Sequence, residues 1–229
     1  MTDPLTRSIA NSYDRLADEY ARRLFHELDN KPLDRQLLDR FAAQVVVGTV
    51  CDMGCGPGQV ARYLHRAGVT VFGLDLSLGM VAEARRLNSD ITFREGNMLS
   101  LALEDGTLAG ITAFYAIVNI PKQSLSSVFR EMHRVLLPGG LLLLAFHVGD
   151  DTLHEDELWG RAISMDFFLF PTDEIRRTLE NAGFVIDEVV ERGPYPPEVE
   201  YQSNRAYIFA RKPARTRNPA LVDTTAGAQ

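Results

Sequence analysis

The sequence predicts an open α/β fold built on a mainly parallel sheet, and three observations carry that expectation. A short β-branched apolar run, Val45 to Val50, leads through Asp52 into three glycines at alternate positions, Gly54, Gly56 and Gly58, and then into helical spacing at Val60, Ala61 and Leu64. A second apolar run, Val69 to Leu76, also closes on an acid, Asp75. Further strand-length runs, Ile91 to Arg94, one within Leu108 to Ile120, and Leu141 to Phe146, alternate with amphipathic stretches. Strand and helix in alternation imply a parallel sheet. Strand, glycine turn and helix together make the unit that cradles a phosphate or cofactor beyond the strand's carboxyl end.

At 229 residues the chain can bury a full core as one domain with a modest insertion. A net charge of −7 argues against a nucleic-acid partner, which needs a basic face. No apolar run approaches the roughly 18 residues of a membrane span, so no membrane partner is expected. The start, with Asp3 and Pro4, has no signal-peptide core. Cys51 and Cys55 flank one turn without a second pair; they read as reduced packing residues of a cytoplasmic protein rather than zinc ligands. No metal is expected, and the oligomeric state is open.

The spacing of the glycines narrows the ligand. A dinucleotide fingerprint needs glycine at position 59, where Gln59 stands. What stands is Asp-x-Gly-x-Gly-x-Gly, led by Asp52, with Asp75 ending the next strand 17 residues past Gly58 and Leu137-Pro138-Gly139-Gly140 leading into the fifth strand. This set, in this order, resembles the class I S-adenosylmethionine-dependent methyltransferases over about residues 10–212. The resemblance implies a Rossmann-like seven-stranded sheet of order 3-2-1-4-5-7-6 with strand 7 antiparallel and helices on both faces. It implies S-adenosylmethionine as cofactor and S-adenosylhomocysteine as product. The implied activity is methyl transfer to an O, N or C nucleophile of a small-molecule acceptor.

In chain order, residues 6–26 place Ile9, Tyr13, Leu16, Ala17, Tyr20 and Leu24 at helical spacing, and a second helix spans about 33–43. Together they form an N-terminal helical cap, residues 1–44. Its Tyr13-Asp14-Arg15-Leu16-Ala17-Asp18-Glu19-Tyr20 segment resembles a Tyr-Asp-x-x-Ala-x-x-Tyr pattern of small-molecule methyltransferases, in which this helix covers the cofactor; Tyr13 and Tyr20 are carried over as cofactor contacts. So are Asp52, Gly54, Gly56 and Gly58 of the turn, and Asp75 as the ribose-binding acid, with Leu76 beside it. Ser77 is expected to cap the next helix, whose core face includes Met80, a further cofactor candidate. After the third strand, Asn97 stands where the family often has Asp; its carbonyl can still accept from the adenine amino group, and Met98 can pack on the ring.

The fourth strand ends near Phe114, Tyr115 and Asn119. Phe114 is a candidate for the cofactor, Tyr115 and Asn119 for the substrate, and no Pro-Pro-aromatic tetrad of nucleic-acid amino-methylases follows. Leu125, Val128, Phe129, Met132, Val135 and Leu136 form a one-sided helical stripe that reads as core. His147, just past the fifth strand, is the candidate general base and a substrate contact. Residues 148–170 read as a solvated acidic loop inserted like a lid, with Trp159 and Phe168 pointing to an apolar or aromatic substrate. Thr172 is expected to cap the last helix and Gly183 to stop it. Phe184–Arg192 and Arg205–Arg211 make the final strand pair, with Arg205 a further substrate candidate. The tail from 213 is predicted to be disordered. Two other readings stay open on the residues: a cofactor-binding scaffold without catalysis, and an NAD-dependent oxidoreductase.

Overall fold

The computed structural model describes residues 4–45 and 47–214. Seven strands form one sheet: β1 (Thr49–Met53), β2 (Val71–Asp75), β3 (Thr92–Glu95), β4 (Leu108–Phe114), β5 (Leu136–Val148), β8 (Val185–Arg192) and β9 (Asn204–Arg211). Their order is β3-β2-β1-β4-β5-β9-β8, parallel from β3 to β5, with β9 antiparallel to both neighbours. This is the predicted order, once a separate hairpin, β6 (Thr152–Leu158) and β7 (Arg161–Phe168), is set aside.

The central strand shows why both faces carry helices. Along β5, Leu142, Leu144 and Phe146 face one core and Leu141, Leu143 and Ala145 the other, as period-two alternation requires. A strand buried on both faces reads as a continuous apolar run. The first core is covered by α5 (Leu125–Val135) and α6 (Thr172–Asn181), the second by α2 (Pro32–Gln44), α3 (Gln59–Arg66) and α4 (Leu78–Leu87). Helix α1 (Pro4–Leu24) lies across α4 and the hairpin, where Leu16 packs with Ile163 and Met165.

Four local expectations are corrected. The first strand begins at Thr49, not Val45: α2 runs to Gln44, its last turn is closed by the Val45 N–H on the Phe41 carbonyl, and Val47 is 85 % exposed. The acidic loop is a hairpin, turned by Trp159 and Gly160, both at positive φ as a two-residue turn requires. The Leu-Pro-Gly-Gly turn is a bulge within β5, between the pairs Leu108↔Leu136 and Gly110↔Leu141. Pro171, not Thr172, is the N-cap of α6, and the Thr172 hydroxyl finds no partner. Ser77 does cap α4, accepting the Met80 N–H at 3.0 Å, and Gly183 does end α6, at φ 98°. Among the described residues no helix is long and apolar enough to cross a membrane, and no cluster suits a metal ion. The tail from 215 lies outside the described residues.

Candidate active site

The parallel strands β1, β2 and β4 end together, and the chain leaving each of them walls one cavity of about 290 Å³. The glycine turn after β1 forms its floor. Gly54 sits at φ 67°, and a Cβ there would lie 2.5 Å from the Ala116 Cβ, so the turn and the chain after β4 approach as only glycine permits. The Gly54 N–H donates to the Leu74 carbonyl at 2.7 Å, tying the turn to β2.

Asp75 ends β2 inside this cavity. Its carboxylate accepts the Gly56 N–H at 2.8 Å and the Ser77 N–H at 2.9 Å, one on each oxygen. A carboxylate offers about four lone-pair positions, so acceptor capacity remains for a diol. Burial pushes this carboxyl above its ordinary range, against the lowering effect of those backbone donors. Leu76, Met80, Asn97 and Met98 line the same wall. The Asn97 oxygen already accepts the Leu99 N–H at 2.9 Å, so an adenine amino group would share that acceptor rather than have it alone.

Helix α1 roofs the cavity. Asp14 fastens it to the start of α4, accepting from the Ser77 hydroxyl at 2.6 Å and the Gly79 N–H at 2.8 Å. The hairpin fastens its other side, through Arg15 on the Ala162 carbonyl and Arg161 on Asp18. Tyr13 and Tyr20 point down from this roof, edge to face at 6.2 Å, and both line the cavity. The Tyr13 hydroxyl donates to Asn119 at 2.7 Å.

The comparisons with known proteins agree with this geometry. Residues 50–140 match the family model described as a methyltransferase domain. Sterol 24-C-methyltransferase of Saccharomyces cerevisiae is 29 % identical over 183 residues, 69 % of this chain but 47 % of that protein. Thus the chain spans about half the length of that relative. A [4+2]-cyclase shares the fold with a TM-score of 0.72 at 18 % identity, covering 93 % of this chain and 99 % of that one. The 2-phytyl-1,4-naphtoquinone methyltransferase of Thermosynechococcus vestitus is 31 % identical, over 68 % of this chain and 69 % of that protein. The chain belongs to the class I S-adenosylmethionine-dependent methyltransferases.

Several of the residues expected at the site stand behind it instead. Asp52 is 2 % exposed and outside the cavity; its carboxylate accepts the Ala61 N–H and the Thr112 hydroxyl, each at 3.0 Å, and so braces α3 and β4 against the turn. Burial raises it to about 7. Gly58 is the N-cap of α3, also outside the cavity. Trp159 packs edge-on against Tyr20 at 5.8 Å, over the roof rather than in the cavity. Phe168 packs on the core beside Phe170.

His147 and Arg205 belong to a buried ionic network behind Tyr115. There Lys31, Arg192 and Arg205 meet Glu27, Asp34 and Glu200, and Asp34 takes hydroxyl bonds from Tyr207 at 2.9 Å and Tyr115 at 3.4 Å. Tyr115 stands at φ 56°, a costly backbone for a non-glycine residue, held there by these contacts, and the residue lines the cavity. His147 lies 4.9 Å behind that ring, with Nδ1 2.7 Å from the Ser203 hydroxyl. Burial, then Arg205 and Lys31, push it down to about 3. An imidazole so weakly basic, and outside the cavity, is a poor general base; it supports Tyr115. Arg205 donates to the Ser203 and Tyr201 carbonyls and is 2 % exposed, so it organises the connection before β9. Sequence reasoning missed Asp14, Asp34, Glu200 and Lys31, whose partners lie far off in the chain; only the Asp directly after Tyr13 carried a signal, from the cap-helix pattern.

Proposed function

We propose that this protein moves the methyl group of S-adenosylmethionine to an O, N or C nucleophile of a small, partly apolar or aromatic molecule. The observation that carries the reading is the position of Asp75: a half-buried carboxylate at a strand end, in one cavity with the glycine turn. Asp75 would hold the ribose diol, Leu76, Asn97 and Met98 the adenine, and the Gly54–Gly56 turn with Tyr20 the amino-acid end. Bound S-adenosylmethionine supplies a methyl group already activated by its sulfonium. The chain therefore has chiefly to align donor and acceptor and to exclude water, and orientation alone can supply on the order of 7–11 kcal/mol. The roof of α1 and the rings of Phe114 and Tyr115 serve both tasks. We take α1 and α2 as a cap and residues 148–170 as a lid on one domain, working in the cytoplasm.

Thermal unfolding with S-adenosylmethionine, S-adenosylhomocysteine or NAD tests the reading. Ligand at about 100 times its dissociation constant adds roughly 2.7 kcal/mol of stability. A shift with both sulfur compounds, lost in Asp75→Ala, supports it; a shift with NAD alone overturns it.

A further inference from the structure

One main-chain carbonyl and two side chains fix the direction of hydrogen bonding at the acceptor end of the cavity. The Asp166 main-chain carbonyl, in β7, accepts from Asn119 Nδ2 at 2.7 Å. A carbonyl can only accept, so the Asn119 amide is oriented with its oxygen toward Tyr13, and the Tyr13 hydroxyl must donate to it. The single proton of Tyr13 is thereby committed, and its oxygen can only accept from whatever occupies the cavity. Burial, helped by Asp75, pushes this hydroxyl above its ordinary value, so it stays protonated.

The second observation concerns charge. Among the described residues lining the cavity there is no lysine, arginine, histidine or glutamate, and the one carboxylate is Asp75. The cations nearby, Lys31, Arg192 and Arg205, stand behind Tyr115 and face acidic partners. An anionic acceptor would meet only the cofactor's own sulfonium as counter-charge, and its negative oxygen would face the Tyr13 oxygen, which can only accept. A hydroxyl or carbon acceptor would have to lose a proton, and with Asp75 taken by the ribose no base is left among the described residues lining the cavity.

Resting on the methyltransferase reading, we propose that the acceptor is an uncharged amine that donates an N–H to the Tyr13 hydroxyl oxygen, and that Tyr13, oriented by Asn119, selects it. The nitrogen lone pair forms the new N–C bond as the methyl C–S bond breaks and its electron pair returns to sulfur. The proton stays on nitrogen and leaves with the product as an alkylammonium, so no base is needed. One positive charge moves from sulfur to nitrogen in a cavity whose lining includes the aromatic residues Tyr20 and Phe114, a residue type that favours a cation. As charge develops on nitrogen, its N–H bond to Tyr13 becomes charge-assisted and stronger, so the contact favours the transition state over the ground state.

The test uses the full chain with radiolabelled S-adenosylmethionine and three acceptors of similar size: para-ethylaniline, para-ethylphenol and para-ethylbenzoate. S-adenosylhomocysteine binding is measured by calorimetry in parallel. The aniline should be methylated with kcat/KM at least about tenfold above the phenol, and the benzoate not at all. Tyr13→Phe should lower kcat for the aniline by about tenfold or more, and Asn119→Leu, which frees the Tyr13 hydroxyl to turn, should shrink the preference over the phenol. Equal or faster transfer to the phenol or benzoate, no transfer to the aniline, or a preference unmoved in Tyr13→Phe overturns the proposal. If S-adenosylhomocysteine binds in those cases, the methyltransferase reading stands and only the amine is lost. Failure of S-adenosylhomocysteine to bind sinks both.

Discussion

Replacing Asp52 with asparagine should make the protein more stable near pH 8 and no more stable near pH 4. Asp52 is buried between the glycine turn, α3 and β4, and its carboxyl titrates at about 7 in the folded chain against an ordinary 3.8. The cause is burial, which outweighs the two hydrogen bonds the carboxylate accepts. Because the folded value is raised, the unfolded chain loses this proton first. Between pH 4 and 7 the unfolded state binds fewer protons, so stability falls as pH rises and levels off above the folded value. The gap between 3.8 and about 7 corresponds to a penalty of about 4 kcal/mol above pH 7. Asparagine keeps the shape and accepts the Ala61 N–H through its oxygen. Its nitrogen faces the Thr112 hydroxyl, which can rotate to accept. Urea unfolding of both proteins without ligand, at several pH values from about 4 to 8, measures the difference. An advantage for Asp52→Asn that grows with pH to between about 1 and 4 kcal/mol is expected. A variant less stable than the parent at pH 8, or a difference independent of pH, would refute the argument.

Gly58→Ala should cost about 2–4 kcal/mol in urea unfolding, from a residue forced to φ 86° and a Cβ placed 2.8 Å from the Phe93 ring. Asp34→Ala should cost about 3–5 kcal/mol by the same assay, because it leaves Arg192 buried without that carboxylate and strips Tyr115 and Tyr207 of their acceptor. His147→Gln should lessen acid sensitivity: its folded value is depressed to about 3, so its stabilising effect is present above about pH 6.5 and is lost as pH falls toward 3. Urea midpoints across that window check this, and an activity profile of the parent with no inflection near 6.5 from this residue accompanies it.

The sheet was legible because its signals are local. An apolar run closing on an acid and glycines fixes where β1 ends whatever else the chain does, and Asp75 announces itself the same way at the end of β2. The hairpin was not legible, because His154, Glu155, Asp156 and Glu157 are all exposed and give β6 no apolar alternation; what holds β7 is Leu16, far away in α1, on Ile163 and Met165. The same distance hid the roles of Asp52, His147 and Arg205. Each is of a type and at a place that suits a ligand, yet each is turned into the protein by partners that sequence spacing does not reveal: Thr112 for Asp52, Ser203 for His147, Glu200 for Arg205. Val45 to Val50 misled because a helix C-terminus and a strand start share one apolar run.

A crystal structure of the protein grown with S-adenosylhomocysteine tests the central claim most directly. The ligand should lie under α1 with both ribose hydroxyls on Asp75, its adenine between Leu76 and Met98, and its sulfur facing Tyr13 and Tyr115. Ligand density elsewhere, or an Asp75 carboxylate that contacts only Gly56 and Ser77 while the ligand is bound, would contradict it.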